Sequence, residues 1–241
     1  MQLDTRRSEM SMFRPSEENM RPSYRLRFLH IPKNAGTSVE ETYWDLKWGY
    51  NDGKPTHKPI NVKAFWHDHE VDRLDNCKYF CIMRDPMQRL LSEFGYNVGG
   101  GPYIDQLVRY ETTLPSPQTN PKVLNEYLRD RMHKVKANPH ADDNHLYPQK
   151  YFVEKCDFVV DFLRINNELG QLVTQFGICE KPLLKKNQTS NNKLTVDDID
   201  RDNMEFWTDF YRDDIALYKL IRESSFDERP DGRDLVLQLI N

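Results

Sequence analysis

The stretch Phe28-Leu29-His30-Ile31-Pro32-Lys33-Asn34-Ala35-Gly36-Thr37-Ser38 starts as a short apolar strand and passes through a Lys/Gly/Thr/Ser loop into helical sequence. That order suits a phosphate cradle. Glycine admits a close backbone approach, N–H groups converge at the start of the helix, the Thr37 and Ser38 hydroxyls add donors, and Lys33 adds a full charge. A Walker A loop needs its lysine directly after the last glycine. Lys33 instead precedes Gly36 by three residues, which disfavours an ordinary ATP or GTP site. The plain alternative is a strand-to-helix turn in which Thr37 or Ser38 only caps the helix.

A second segment favours the cradle. Lys78-Tyr79-Phe80-Cys81-Ile82-Met83 is strand-like and leads into Arg84-Asp85-Pro86-Met87-Gln88-Arg89-Leu90-Leu91-Ser92-Glu93-Phe94. Pro86 suits the first helical turn and Asp85 is a natural N-cap. Arg84 then stands at the carboxyl end of a strand, with Arg89 and Ser92 three apart on one helical face, so that all three surround a second anion. Taken alone, an Arg-Asp pair at a helix start is commonly structural.

With both segments in order and about fifty residues apart, the chain resembles the sulfotransferases that use 3′-phosphoadenosine 5′-phosphosulfate (PAPS), in particular the carbohydrate branch that includes heparan sulfate 2-O-sulfotransferase and the chondroitin sulfotransferases. The resemblance implies that Lys33, Asn34, Ala35, Gly36, Thr37 and Ser38 hold the 5′-phosphosulfate and that Arg84, Arg89 and Ser92 hold the 3′-phosphate. It implies PAPS as donor, 3′-phosphoadenosine 5′-phosphate (PAP) as product, and no metal. Asp143-Asn144-His145-Leu146-Tyr147-Pro148-Gln149 looks like the family's H-x-x-P-Q element. Lys185-Lys186-Asn187-Gln188-Thr189-Ser190 resembles the late loop over the nucleotide, which makes Lys185, Lys186, Asn187, Thr189 and Ser190 cofactor candidates. Phe210-Tyr211 through Tyr218 resembles the family's closing helix.

Sulfuryl transfer also needs a proton acceptor. Trp66-His67-Asp68-His69-Glu70 lies between the two anion segments, and alternate residues of an extended run face one side. The resemblance makes His69 the base and His67 its orienter or substitute; a surface or metal-binding H-x-H is the alternative, and Glu70, Glu40 and Glu41 are further candidates. Lys33 compensates charge at the leaving phosphate. Trp66, Tyr96, His145 and Gln149 are acceptor-side candidates, although His145 and Gln149 also suit a loop-fixing role and aromatics at helical spacing usually belong to the core.

Alternating strands and helices predict an α/β fold: a three-layer, P-loop-like arrangement with a central, mainly parallel sheet flanked by helices. Expected strands are 25–31, 62–66, 79–83 and 158–162, and expected helices 37–47, 86–96, 122–136, 168–176 and most of 196–222, with loops at 51–59 and 111–121. Residues 1–23 read as a flexible polar leader and 24–241 as a single sulfotransferase domain. A chain of 241 residues with 38% hydrophobic residues suffices for one such core, and a mean hydropathy of -0.81 implies long polar loops.

The net charge of -4 argues against a nucleic-acid binder. Four cysteines without C-x-x-C spacing give no metal motif. No apolar run reaches the roughly 18 residues of a membrane span, and the first residues lack a signal peptide's apolar core. A soluble, cytoplasmic enzyme is expected, or a Golgi-lumen one if an N-terminal anchor is missing. The resemblance implies a carbohydrate acceptor, with a small hydroxylated molecule as the alternative. Outside this class stand a PAP-binding module without catalysis and a P-loop kinase, the latter weakened by the lysine position and by the absence of an evident magnesium-binding Asp after a strand. The sequence is silent on oligomeric state.

Overall fold

A computed structural model describes residues 26–43, 50–51, 54–55, 77–98, 119–184 and 194–239. The expected leader, the strand at 62–66, Trp66, His67 and His69, and the loop carrying Lys185, Lys186, Asn187, Thr189 and Ser190 lie outside the described residues.

The elements run β1 (Leu26–Phe28), α1 (Gly36–Thr42), β2 (Tyr50–Asn51), β3 (Lys54–Pro55), β4 (Lys78–Met83), α2 (Pro86–Val98), α3 (Pro121–Ala137), α4 (Lys150–Val153), β5 (Phe158–Asp161), α5 (Ile165–Gln175), α6 (Arg201–Phe210), α7 (Arg212–Glu223) and α8 (Gly232–Leu237). One parallel sheet has the order β1-β4-β5, with Phe28 opposite Phe80 and Met83 opposite Asp161. Helices cover both faces, giving the three-layer α/β fold expected from the alternation.

The central strand explains the layering. Its residues Tyr79 through Met83 are all fully buried, as in a parallel strand covered on both sides. Tyr79, Cys81 and Met83 pack with Phe152, Val153, Leu217, Ile221 and Leu235 from α4, α7 and α8. Phe80 and Ile82 point the other way, into a cluster with Val39 and Tyr43 around α1 and with Leu169, Leu172 and Val173 of α5. A third cluster joins Leu90, Leu91 and Phe94 of α2 to Leu124, Tyr127 and Leu128 of α3 and Trp207 of α6. The small thiols of Cys81 and Cys156 are buried, and all four cysteines are free.

Several boundaries differ from expectation. The regular part of β1 is shorter than 25–31, because after the Leu29 N–H bonds to the Phe80 carbonyl the chain turns into the loop. Tyr50–Asn51 and Lys54–Pro55 pair as two short antiparallel strands at the start of the expected loop at 51–59. The helical stretch expected over 196–222 is divided: a 3-10 turn at Val196–Asp198 precedes α6, which Asp200 caps through the Asn203 N–H, and a break at Tyr211 separates α6 from α7. The break lets Tyr211 bury its ring and donate its hydroxyl to the Leu146 carbonyl. The short helices α4 and α8 carry too few turns to show a periodicity. Among the described residues no helix is long and apolar enough to cross a membrane.

Candidate active site

The carboxyl ends of β1 and β4 deliver Lys33 and Arg84 to one place. Parallel sheets bind ligands at this edge, because each strand there gives way to a loop and a helix. Between β1 and α1 the backbone takes left-handed conformations at Lys33 (φ 68°) and Ala35 (φ 65°). Such alternation turns successive N–H groups toward one concavity. Ala35 occupies the N-cap position of α1 without any side-chain capping bond, so the Thr37 and Ser38 hydroxyls do not serve as the plain helix cap.

Gly36 is required by its neighbour. A Cβ there would stand 2.0 Å from Nε2 of His30, whose Nδ1 pairs with Glu40 Oε1 at 2.9 Å and whose ring stacks on Phe28. Glu40 is therefore spoken for as a support of the loop. Asn34 ties the loop to the sheet: its Nδ2 donates to the Ile82 carbonyl (2.7 Å) and to Gln149 Oε1 (2.6 Å).

Lys33 and Arg84 share an unusual electrostatic setting. Burial lowers Lys33 to about 8, Glu93 works against that fall, and Arg84 adds to it. Burial likewise lowers Arg84, which lies over the Phe162 ring at 4.5 Å and donates from Nη1 to the Lys33 carbonyl at 3.1 Å. Among the described residues neither cation has a carboxylate within ion-pair distance. Two half-buried cations beside a curled backbone form a site short of negative charge, which fits a phosphate-bearing nucleotide. Ser92 stands half-buried on α2, with Asp85 capping that helix through the Gln88 N–H at 2.9 Å.

Arg89, expected beside Arg84 and Ser92 at the second anion, bonds to backbone. It is 2% exposed, and its Nε, Nη1 and Nη2 donate to the carbonyls of Pro32 (3.0 Å), Tyr147 (3.0 Å) and His145 (2.8 Å). With three of its five N–H groups given to backbone carbonyls, Arg89 braces the Lys33 loop against the 138–149 turn. Gln149, expected on the acceptor side, is fully buried. It accepts from Asn34, donates to the Arg84 carbonyl at 2.8 Å, and is anchored by its own N–H to Asp214 Oδ2 at 2.7 Å. Arg89 and Gln149 thus both give side-chain N–H groups to backbone carbonyls at the site edge.

His145 and Tyr96 do border the site. Three consecutive left-handed residues, Asp142, Asp143 and Asn144, precede His145, a run suited to short Asp and Asn side chains. Asp142 is fixed by the Arg131 guanidinium at 2.5 Å. The His145 Nδ1–H donates to Glu93 Oε2 at 2.9 Å, and the His145 ring lies against that of Tyr96. Lys33 Nζ sits 3.8 Å from the Tyr96 ring centroid.

Two acidic residues escape the sequence reading. Glu93 directly follows Ser92, and its one visible signal is a charge inside the apolar run of α2. Asp161 is the last residue of β5. Burial would raise it, yet it is held below the ordinary range by Arg222, the Leu163 N–H and Arg164. Its oxygens accept from Arg222 (2.6 Å), Arg164 (2.8 Å), Leu163 N (3.0 Å) and Tyr218 (3.3 Å), so it braces the sheet edge rather than standing open to a cation. Among the described residues no group of three or more His, Cys, Asp or Glu is placed to hold a metal ion.

A family model described as the sulfotransferase family matches residues 16–220, and the chain belongs to that family. No match is found among curated proteins or among solved structures. Membership makes the chain a transferase of sulfuryl groups to an acceptor, in a family whose general donor is PAPS.

Proposed function

We propose that this chain transfers the sulfuryl group of PAPS to an acceptor hydroxyl, most readily one on a carbohydrate. The observation that carries the reading is the convergence of Lys33 and Arg84, half-buried and without carboxylate partners among the described residues, on the curled backbone between β1 and α1. The carbohydrate acceptor rests on the resemblance of the two anion segments and the H-x-H pair to the carbohydrate branch. Residues 24–241 act as one catalytic domain in this reading.

PAPS when bound supplies a sulfuryl group on its 5′-phosphate. The chain's residues then have separate tasks. The loop N–H groups of 33–38 and the Thr37 and Ser38 hydroxyls orient the 5′ end, while Arg84 and Ser92 take the 3′-phosphate. The late loop carrying Lys185, Lys186, Asn187, Thr189 and Ser190 covers the nucleotide. His69, oriented or replaced by His67, receives the proton of the attacking hydroxyl as the new oxygen–sulfur bond forms. The bond from sulfur to the phosphate oxygen breaks in line, and Lys33 stabilises the charge left on that oxygen. Arg89, Gln149 and Asn34 hold the two anion segments in register.

Thermal unfolding with PAP, and with ATP plus magnesium, tests the donor. PAP is expected to raise the Tm, and a rise with ATP and magnesium alone refutes the reading. Transfer from radiolabelled PAPS to a panel of oligosaccharides and small alcohols tests the reaction. PAP binding without transfer to any acceptor would instead indicate a binding module. His69→Ala is expected to reduce turnover about 10²–10⁴-fold while PAP binding persists.

A further inference from the structure

Lys33, Tyr96, His145 and Glu93 form a continuous stack that the reaction scheme above leaves without a purpose. Glu93 and Tyr96 are three apart on α2 and therefore share a face. Glu93 is only 2% exposed. Its Oε2 accepts from His145 Nδ1 at 2.9 Å and its Oε1 from Asn97 Nδ2 at 2.6 Å. The His145 ring lies parallel to the Tyr96 ring within 29°, their centroids 6.3 Å apart, and Lys33 Nζ rests on Tyr96.

A buried carboxylate in the wall of an anion site is costly on two counts: it loses hydration and it repels the ligand. Burial alone would raise the Glu93 carboxyl. The His145 hydrogen bond and charge, Lys33 and the Asn97 amide outweigh burial and hold it at about 2, so the group stays ionised. The other groups facing this region are Arg84 at the end of β4, Arg89 and Tyr96 on α2, Tyr127 and Arg131 on α3, His145 on the turn, and Tyr211 between α6 and α7. Glu93 is the one anion among these described groups that acts on Lys33, where it opposes both burial and the repulsion from Arg84.

We propose that Glu93, held by His145, is a positioning residue that keeps Lys33 charged and parked on Tyr96 until the anionic donor arrives. Lysine stripped of its proton could neither attract the donor nor neutralise the leaving oxygen. A carboxylate three residues before Tyr96 on α2 preserves that charge at the cost of some anion affinity. The inference rests on the reading of Lys33 as a donor-binding residue.

The test is a direct titration of Lys33 by NMR in reductively ¹³C-methylated protein, the Lys33 resonance being assigned by its loss in Lys33→Arg. In the unsubstituted protein the midpoint is expected at about 8. In Glu93→Gln it should fall by about one pH unit. An unchanged midpoint overturns the proposal. If Glu93→Gln does not fold, Glu93→Asp withdraws the charge by one methylene and should give a smaller fall; no fall there also overturns it.

PAP titrations add a readout that a merely structural role does not move. In Glu93→Gln, affinity near pH 6.5 should hold or rise, because a repelling charge is gone, while the decline at higher pH begins about one unit earlier. Weakening by the same factor at every pH overturns the proposal. Failure of the unsubstituted protein to bind PAP at any pH would refute the donor reading instead, and the Lys33 titration would still decide the role of Glu93.

Discussion

The charge on Lys33 should make donor binding strongly pH-dependent in a range where most lysines are inert. In the free protein burial holds Lys33 at about 8. Contact with a phosphate removes the deficit of negative charge, so in the complex the amine is expected back near its ordinary value of about 10.4. Binding then requires protonation. With those two values, PAP binding takes up about 0.1 proton at pH 7, about 0.5 at pH 8 and about 0.9 at pH 9. Affinity falls about tenfold between pH 7 and 9, most of it above pH 8. Phosphate groups titrate near pH 6 and contribute little in this window.

Calorimetry in buffers of different ionisation enthalpy measures the uptake. The sign differs for the free fold. A lysine whose folded value is depressed binds its proton less tightly than in the unfolded chain, so ligand-free stability should rise as pH climbs from about 8 toward 10.4. The Tm increment given by PAP should shrink over the same range. Lys33→Arg, always protonated, should abolish the proton uptake while retaining measurable binding. A flat affinity from pH 7 to 9 in the unsubstituted protein, with no uptake, would refute the assignment of Lys33 to the anion site.

Further outcomes follow from the supports of the site. Gly36→Ala drives a Cβ into the pinned His30 ring and is expected to cost about 1–3 kcal/mol, seen as a lower denaturation midpoint together with lost PAP binding. Arg89→Ala leaves the buried carbonyls of Pro32, Tyr147 and His145 without their donor and should destabilise by on the order of 3–5 kcal/mol, whereas Ser92→Ala should weaken PAP binding with Tm nearly unchanged. Asp214→Ala removes the acceptor of the Gln149 and Lys150 N–H groups, for a loss of about 2–5 kcal/mol measured by urea unfolding. Glu93 is depressed to about 2 from 4.5, so its contribution is complete above pH 4.5 and lost as pH falls toward 2. Its size is on the order of 3 kcal/mol, and Glu93→Gln should flatten acid unfolding over that range.

Much of the site's frame was legible in the chain. The run 78–83 marked a strand, the Asp85-Pro86 pair marked the start of α2, and Lys33 and Arg84 marked the strand ends that meet. Spacing was a weaker guide to which way a side chain points. Arg89 has the same chemistry as Arg84 and a favourable position on α2, yet three backbone carbonyls claim it. Gln149 suited either an acceptor-side or a loop-fixing role in the chain, and in the fold it is a fully buried connector.

Local sequence determined the strand–loop–helix units, because hydrophobic period, proline, glycine and capping residues act over a few positions. It also determined that cations would stand at strand ends. Tertiary structure alone decided which cations brace the fold. That assignment depends on where distant segments bring carbonyls and carboxylates, as with Pro32, His145 and Tyr147 around Arg89, or Glu93 acting on Lys33. Such partners lie more than fifty residues apart in the chain, and their pairing is a property of packing.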